Sequence, residues 1–308
     1  MSTDKRGWML YAGLLILFWG VWGAFSSRPT DLYGYPVEMV YVIWSLTMIV
    51  PAAVMLRRQR FDRRPVAALY GLLCGLTGAG GQLLLFQALS DGPAYLIFPV
   101  VSLSPVITVL MAVVLLRERI GRQAVCGVVA ALVAIVLVSI PAGGDGAASA
   151  GPWLPLAIAV CAAWGAQAFF MRKAALSGVN DATTFGWMTI SGLLLAPVAW
   201  LMAGGLPSGA PWQAPALSAG TQLLNAVGAL FLVMALSRGK AAVVAPLTNA
   251  LAPVLTILLS LAVYRTLPTV WAALGIALAL AGSTLMVRAD EKREEAAAAP
   301  ESRPTVTF

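Results

Sequence analysis

The sequence predicts an all-α integral membrane protein, with ten transmembrane helices arranged as two inverted five-helix repeats. Three observations carry that prediction: an extremely apolar composition, ten apolar runs of bilayer length, and one run that occurs twice. Of 308 residues, 60% are hydrophobic and only 11% charged, and the mean hydropathy is +0.85. A water-soluble domain carries about a quarter charged residues and cannot hide so much apolar surface. The excess must face lipid.

A helix needs roughly 20 apolar residues to cross the hydrocarbon core. The runs are Trp8–Phe25, Val37–Leu56, Val66–Leu89, Ala94–Leu116, Ala124–Ile140, Trp153–Met171, Thr183–Ala203, Leu217–Leu236, Ala241–Tyr264 and Pro268–Val287. The first lacks a small-residue cleavage site and is followed by nine more, so it reads as a span and not a signal peptide. Trp8, Trp153 and Trp271 stand at run ends and read as interfacial anchors. The polar tail after Val287, residues 288–308, is read as a cytoplasmic segment, disordered or a frayed helical extension.

Loop charge sets the orientation. Arg57, Arg58, Arg60, Arg63 and Arg64 crowd the second connection, Arg117, Arg119 and Arg122 the fourth, Arg172 and Lys173 the sixth, and Arg238 and Lys240 the eighth. With Lys5, Arg6 and the basic tail, every Lys and Arg except Arg28 and Arg265 falls on one side. Cytoplasmic loops carry this excess, which places both termini in the cytoplasm. The net charge of +7 is therefore a topology signal and predicts no nucleic-acid partner.

The stretch SPVITVLMAVVLLRER, 104–119, returns as APVLTILLSLAVYRTL, 252–267. Pro99 matches Pro246, Pro105 matches Pro253, Thr108 matches Thr256, and Arg117 matches Arg265. Trp22-Gly23-Ala24 in the first run is echoed by Trp164-Gly165-Ala166 in the sixth. Each repeat holds five runs, an odd number, so the second copy enters from the opposite side. The repeats are bounded at 7–140 and 151–287. Inverted repeats can exchange conformations, the arrangement through which secondary transporters alternate access to a site near the midplane.

These features resemble the drug/metabolite transporter superfamily, EamA-like branch. The resemblance rests on the five-plus-five runs, the Pro-rich fourth and ninth runs, and GPAYLIFPVVSLSPVITVLMAVVLLRERI, which carries the family's Glu as Glu118. Thr266 stands where the second half often has another Glu. The resemblance implies export or exchange of small metabolites across the cytoplasmic (inner) membrane.

No Asp, Glu, Lys, Arg or His lies near the middle of any run, Glu38 coming closest, and the chain has no His at all. Intramembrane charge marks proton relays and ion pathways, so a neutral or zwitterionic substrate fits best. Neither a Ser–His nor a paired-carboxylate arrangement can be assembled, and no enzyme activity is expected. Cys74, Cys126 and Cys161 lie in apolar runs without metal-ligand spacing; neither metal nor cofactor is expected.

Neutral polar and aromatic groups are left as candidates for a substrate site. Ser102 and Asn249 occupy equivalent repeat positions, each about 12–14 Å from its helix start at a rise of about 1.5 Å per residue. Nearby prolines leave backbone carbonyls without helical donors, which adds Thr248. Trp19 and Trp164 are too deep for an aromatic belt and read as pocket walls or packing groups. Gln167, three residues after Trp164, shares its face. Gln82, Gln87, Tyr95 and Asn225 complete the set, although Ser, Thr and Asn at such depth also serve as interhelical hydrogen-bonding groups. The glycine-rich GLLCGLTGAGGQ, 71–82, sits in a hydrophobic helix and reads as a packing face.

The sequence thus predicts a transporter of amino-acid-like metabolites working by alternating access, with substrate and bilayer as partners. It leaves open monomer or homodimer. A lipid-facing translocator or structural membrane subunit is the second reading.

Overall fold

The computed structural model describes residues 7–91, 97, 100–101, 103–138, 140, 152–207, 209–264 and 269–298. They form an all-helical fold: α1 (Gly7–Phe25), α2 (Arg28–Tyr33), α3 (Val37–Thr47), α4 (Ile49–Arg58), α5 (Pro65–Asp91), α6 (Ser104–Leu115), α7 (Arg122–Val138), α8 (Trp153–Leu176), α9 (Asp181–Met202), α10 (Gln213–Arg238), α11 (Ala241–Tyr264) and α12 (Val270–Ala298).

Among the described residues, six stretches are long and apolar enough to cross a membrane: Gly7–Tyr33, Val37–Arg58, Pro65–Leu85, Trp153–Leu176, Asp181–Met202 and Gln213–Arg238. The other four apolar runs hold shorter apolar helices, Ser104–Leu115, Arg122–Leu137, Ala241–Thr256 and Ala273–Met286. Lipid-facing side chains such as Leu10, Val114, Leu194 and Leu201 are exposed along these helices, as an apolar solvent permits.

Prolines explain where the runs break. Pro51 has no N–H to donate to the carbonyl of Thr47, and the second run divides there into α3 and α4. In the fourth run the chain turns at Leu103, and Pro105 stands in the first turn of α6, where a missing N–H costs nothing. Its sequence counterpart Pro253 lies inside an unbroken α11. At the far end, α12 continues past Val287 to Ala298, taking in residues 288–298 of the tail.

The packing pairs come in matched sets. Helix α5 packs on α8 as α10 packs on α1, α6 packs on α8 as α11 packs on α1, and α5 meets α9 as α10 meets α3. Three pairs join corresponding helices of the halves, α7 with α12, α6 with α11, and α3 and α4 with α9. Gly127 and Gly282 sit at the centre of the α7–α12 contact. A Cβ on either would come within 2.8 Å of the other's carbonyl oxygen, so only glycine allows this approach. The glycines of α5 act similarly: Gly71 and Gly75 face Trp187 and Ser191 on α9, and Gly78 and Gly81 face Gln167 and Trp164 on α8.

Candidate functional site

Midway along the helices, the same pair of hydrogen bonds is made twice. Trp19 Nε1 on α1 donates to the Asn225 carbonyl on α10 at 3.2 Å. Trp164 Nε1 on α8 donates to the Gly78 carbonyl on α5 at 3.3 Å. Beside them, Thr256 Oγ1 on α11 donates to Gly20 O at 3.1 Å, and Thr108 Oγ1 on α6 donates to Gly165 O at 3.0 Å. These contacts correct the register expected for the first and sixth runs. They match Trp19-Gly20 to Trp164-Gly165, one helical turn before the Trp22-Gly23-Ala24 echo.

The end of the bundle that carries the basic connections is tied by a denser polar network. Arg172 Nε donates to Glu118 Oε1 at 3.0 Å, with the side chains only 14% and 7% exposed. The backbone N–H groups of Ala241 and Ala242 donate to the same carboxylate at 3.3 and 3.1 Å. Arg172 Nη1 also donates to the carbonyls of Leu236 and Ser237. A carboxylate thus sits at the N-terminus of α11 and a guanidinium at the C-terminus of α10, each favoured by the helix dipole it faces. Arg117 adopts φ 54°, and this left-handed turn at the end of α6 lets the Glu118 N–H reach Ala112 O.

A second pair, Arg238 Nη1 to Asp181 Oδ2 at 2.8 Å, joins α10 to α9, and the Arg238 guanidinium lies 4.7 Å from the Tyr11 ring centre on α1. The α4–α5 connection is docked on the start of α9. Asp62 N donates to Thr183 Oγ1, Asn180 Nδ2 to Arg60 O, and Arg64 Nη2 to Gly178 O. Side-chain and backbone hydrogen bonds from Arg64 hold the Asp62 carboxyl below the usual carboxylate range.

The structure brings Trp19 and Asn225 together directly. Asn225 is buried and its Nδ2 donates to Gln222 Oε1 at 3.3 Å. Trp164 and Gln167 lie against Gly81 and Gly78 of α5, Gly81 being the neighbour of Gln82, and Trp164, Gln167 and Gln82 are all half-buried. Asn249 is half-buried, its Nδ2 donating to Ala245 O within its own helix at 3.0 Å. Thr248 is fully buried and donates to Val244 O and Ala245 O. Gln87 is exposed and donates to Asp91 one turn on. Ser102 and Tyr95 lie outside the described residues.

Sequence reasoning left several buried polar groups out of the candidate set. Trp22 Nε1, Trp44 Nε1 and Ser191 Oγ are buried without a hydrogen-bond partner among the described residues, an uncommon condition that suits a polar guest. Gln222 was detectable from its three-residue spacing to Asn225 on one helix face. The Glu118–Arg172 pair had no such signal, since its members are far apart in sequence.

A family model described as the EamA-like transporter family matches residues 6–140 and again 151–288. An uncharacterized protein of Methanocaldococcus jannaschii is 32% identical over 71 residues, 23% of this chain and 52% of that protein. The match thus spans about half the length of that relative. A crystal structure described simply as that of a protein superposes with a TM-score of 0.77, covering 92% of this chain and 99% of the other at 22% identity; that likeness bears on the fold alone. The membrane-length helices and the two family matches, which together take in nearly all of the chain, make this a membrane transporter, and the chain belongs to the EamA-like transporter family.

Proposed function

We propose that the protein is a secondary transporter that moves small neutral or zwitterionic, amino-acid-like metabolites across the cytoplasmic membrane by alternating access, as an exporter or exchanger. In this reading all ten apolar runs cross the bilayer, both termini are cytoplasmic, and residues 7–140 and 151–287 are inverted repeats. The observation that carries it is the doubled Trp and Thr hydrogen bonding between the halves. Matched contacts made in two opposed copies are what an exchange between equivalent states requires.

The substrate site is proposed between the halves at mid-depth, from Trp19, Gln82, Tyr95, Ser102, Trp164, Gln167, Asn225, Thr248 and Asn249. Neutral amides, hydroxyls and indoles offer hydrogen bonds to an ammonium or carboxylate without a fixed charge. Counterflow with purified protein in liposomes, screened against amino acids, sugars and amphipathic drugs, tests the class. Accelerated exchange of an amino acid is expected; exchange of none of the three groups would reject the reading.

A second reading has one observation in its favour. A laterally open groove of about 430 Å³ runs between α1, α11 and α12, lined by Trp8, Ile16, Leu251 and Leu280 with Arg288 at one end. It would suit a lipid translocator. Scrambling of labelled phospholipid in the same liposomes, without amino-acid exchange, would favour that function.

A further inference from the structure

The polar network at the basic end contains a part that the repeat does not duplicate. The register set by Trp19-Gly20 and Trp164-Gly165 makes Ser27 the counterpart of Arg172. The register set by Thr108 and Thr256 makes Thr266 the counterpart of Glu118. Ser27 Oγ is engaged locally, donating to Asp31 Oδ2 at 2.7 Å, and a threonine in place of Glu118 supplies no carboxylate. The residues at the two ends therefore differ in chemistry, although the Trp and Thr hydrogen bonds of the centre are matched.

We propose that Glu118 and Arg172 form a latch that holds the basic end closed, so that the transporter rests with its opposite end as the accessible one. The inference rests on the alternating-access reading above. Glu118 belongs to the first half, through α6, while every group it grips belongs to the second: Arg172 on α8 and the first N–H groups of α11. Arg172 in turn holds the carbonyls at the end of α10. Separating the end of α6 from α8 and the α10–α11 turn requires the three hydrogen bonds that Glu118 accepts to break together. No neutral pair would bind both helix ends as well, because the carboxylate faces exposed N–H groups and the guanidinium faces exposed carbonyls. The left-handed backbone at Arg117 aims the carboxylate inward. Opening of this end is thus a discrete event, and substrate or a change at the centre must supply the energy for it.

The test uses full-length protein in lipid nanodiscs, free of native cysteines, with spin labels at Gly121 and Leu176. Both positions are exposed and lie three and four residues beyond the latch. The parent should show one short-distance population without substrate. Glu118→Gln and Arg172→Gln should each add a longer-distance population, raising the open fraction about tenfold, the scale of one charge-assisted hydrogen bond. The double variant should fall short of the sum of the two single effects, because both remove the Glu118–Arg172 pair. A purely structural role would lower the unfolding temperature of a folded, monodisperse variant and leave one distance population; that outcome, or additive effects in the double variant, overturns the latch. The readout needs no substrate. Distances that respond without flux of any tested compound would reject the transport reading and leave the latch standing, and flux with unresponsive distances would do the reverse.

Discussion

Trp19 and Trp164 hold matched places: each indole N–H crosses to a backbone carbonyl on a helix of the other half, at 3.2 and 3.3 Å. Each phenylalanine variant keeps the ring packing and removes only the donor. Trp19→Phe and Trp164→Phe should each cost about 1 kcal/mol. Thermal unfolding in detergent should register this as a fall of roughly 2–4 °C in either variant. A loss confined to one of the two would mean that the contacts are not equivalent.

Helix α5 separates its glycines by what surrounds them. A Cβ at Gly75 would come within 2.8 Å of the Trp187 carbonyl, a backbone atom that cannot turn aside, whereas a Cβ at Gly80 meets nothing within 4 Å. Gly75→Ala should therefore destabilise by about 1–3 kcal/mol through overpacking. Gly80→Ala should be neutral or stabilise by up to about 1 kcal/mol through helix propensity. Equal unfolding temperatures for the two variants would refute the packing role assigned to this face.

The apolar runs were legible because length and hydropathy alone mark them, and the Pro105/Pro253 duplication marked the second half. What was not legible depends on contacts between distant residues. Trp19 and Trp22 share a helix face, so a slip of one turn keeps an indole in register, and the Trp-Gly-Ala echo chose the wrong one. Thr256 bonded to Gly20 decides it. The break at Met48 follows from Pro51, but equally placed prolines at Pro197 and Pro253 leave α9 and α11 continuous, so proline position by itself does not separate the cases. Glu118 was noticed only through a family resemblance. Its partners Arg172 and Ala241 have no fixed spacing from it, and only the fold brings them together.

Arg117 is exposed, yet its backbone carries a conformation that suits glycine, with φ 54°. A non-glycine residue there costs on the order of 1–3 kcal/mol. Arg117→Gly should raise the unfolding temperature and keep the short label distance between positions 121 and 176. Arg117→Val, β-branched and poorly suited to positive φ, should lower the temperature and broaden the distance distribution. If valine behaves like glycine, the turn does not position Glu118.

The orientation is open to a direct check. In intact cells, a cysteine at Arg63, in the basic α4–α5 connection, should resist a membrane-impermeant thiol reagent until the cells are opened. A cysteine at Leu206, exposed in the α9–α10 connection, should react at once. Both positions lie outside the helices, so accessibility reports the side of the membrane and not burial. The reverse pattern would invert the topology and, with it, the face that the latch closes.

Asn249 is the most informative residue for the proposed site. Its Nδ2 is satisfied by Ala245 O, and its Oδ1 accepts no hydrogen bond among the described residues. Its backbone carbonyl has lost its helical donor as well, because Pro253 has no N–H. The half-buried residue thus offers two acceptors to an ammonium group. Asn249→Leu removes the side-chain acceptor and should weaken half-saturation in the counterflow assay about tenfold, the scale of one buried hydrogen bond. The variant should fold, since leucine suits a membrane helix and the amide bond it loses lies within α11. Trp164→Ala should impair the same flux through lost apolar contact. If both variants fold and exchange substrate with the parent's half-saturation, the amide and the indole serve only to bind helices, and the site lies elsewhere, with the unpaired Trp22, Trp44 and Ser191 the next groups to change.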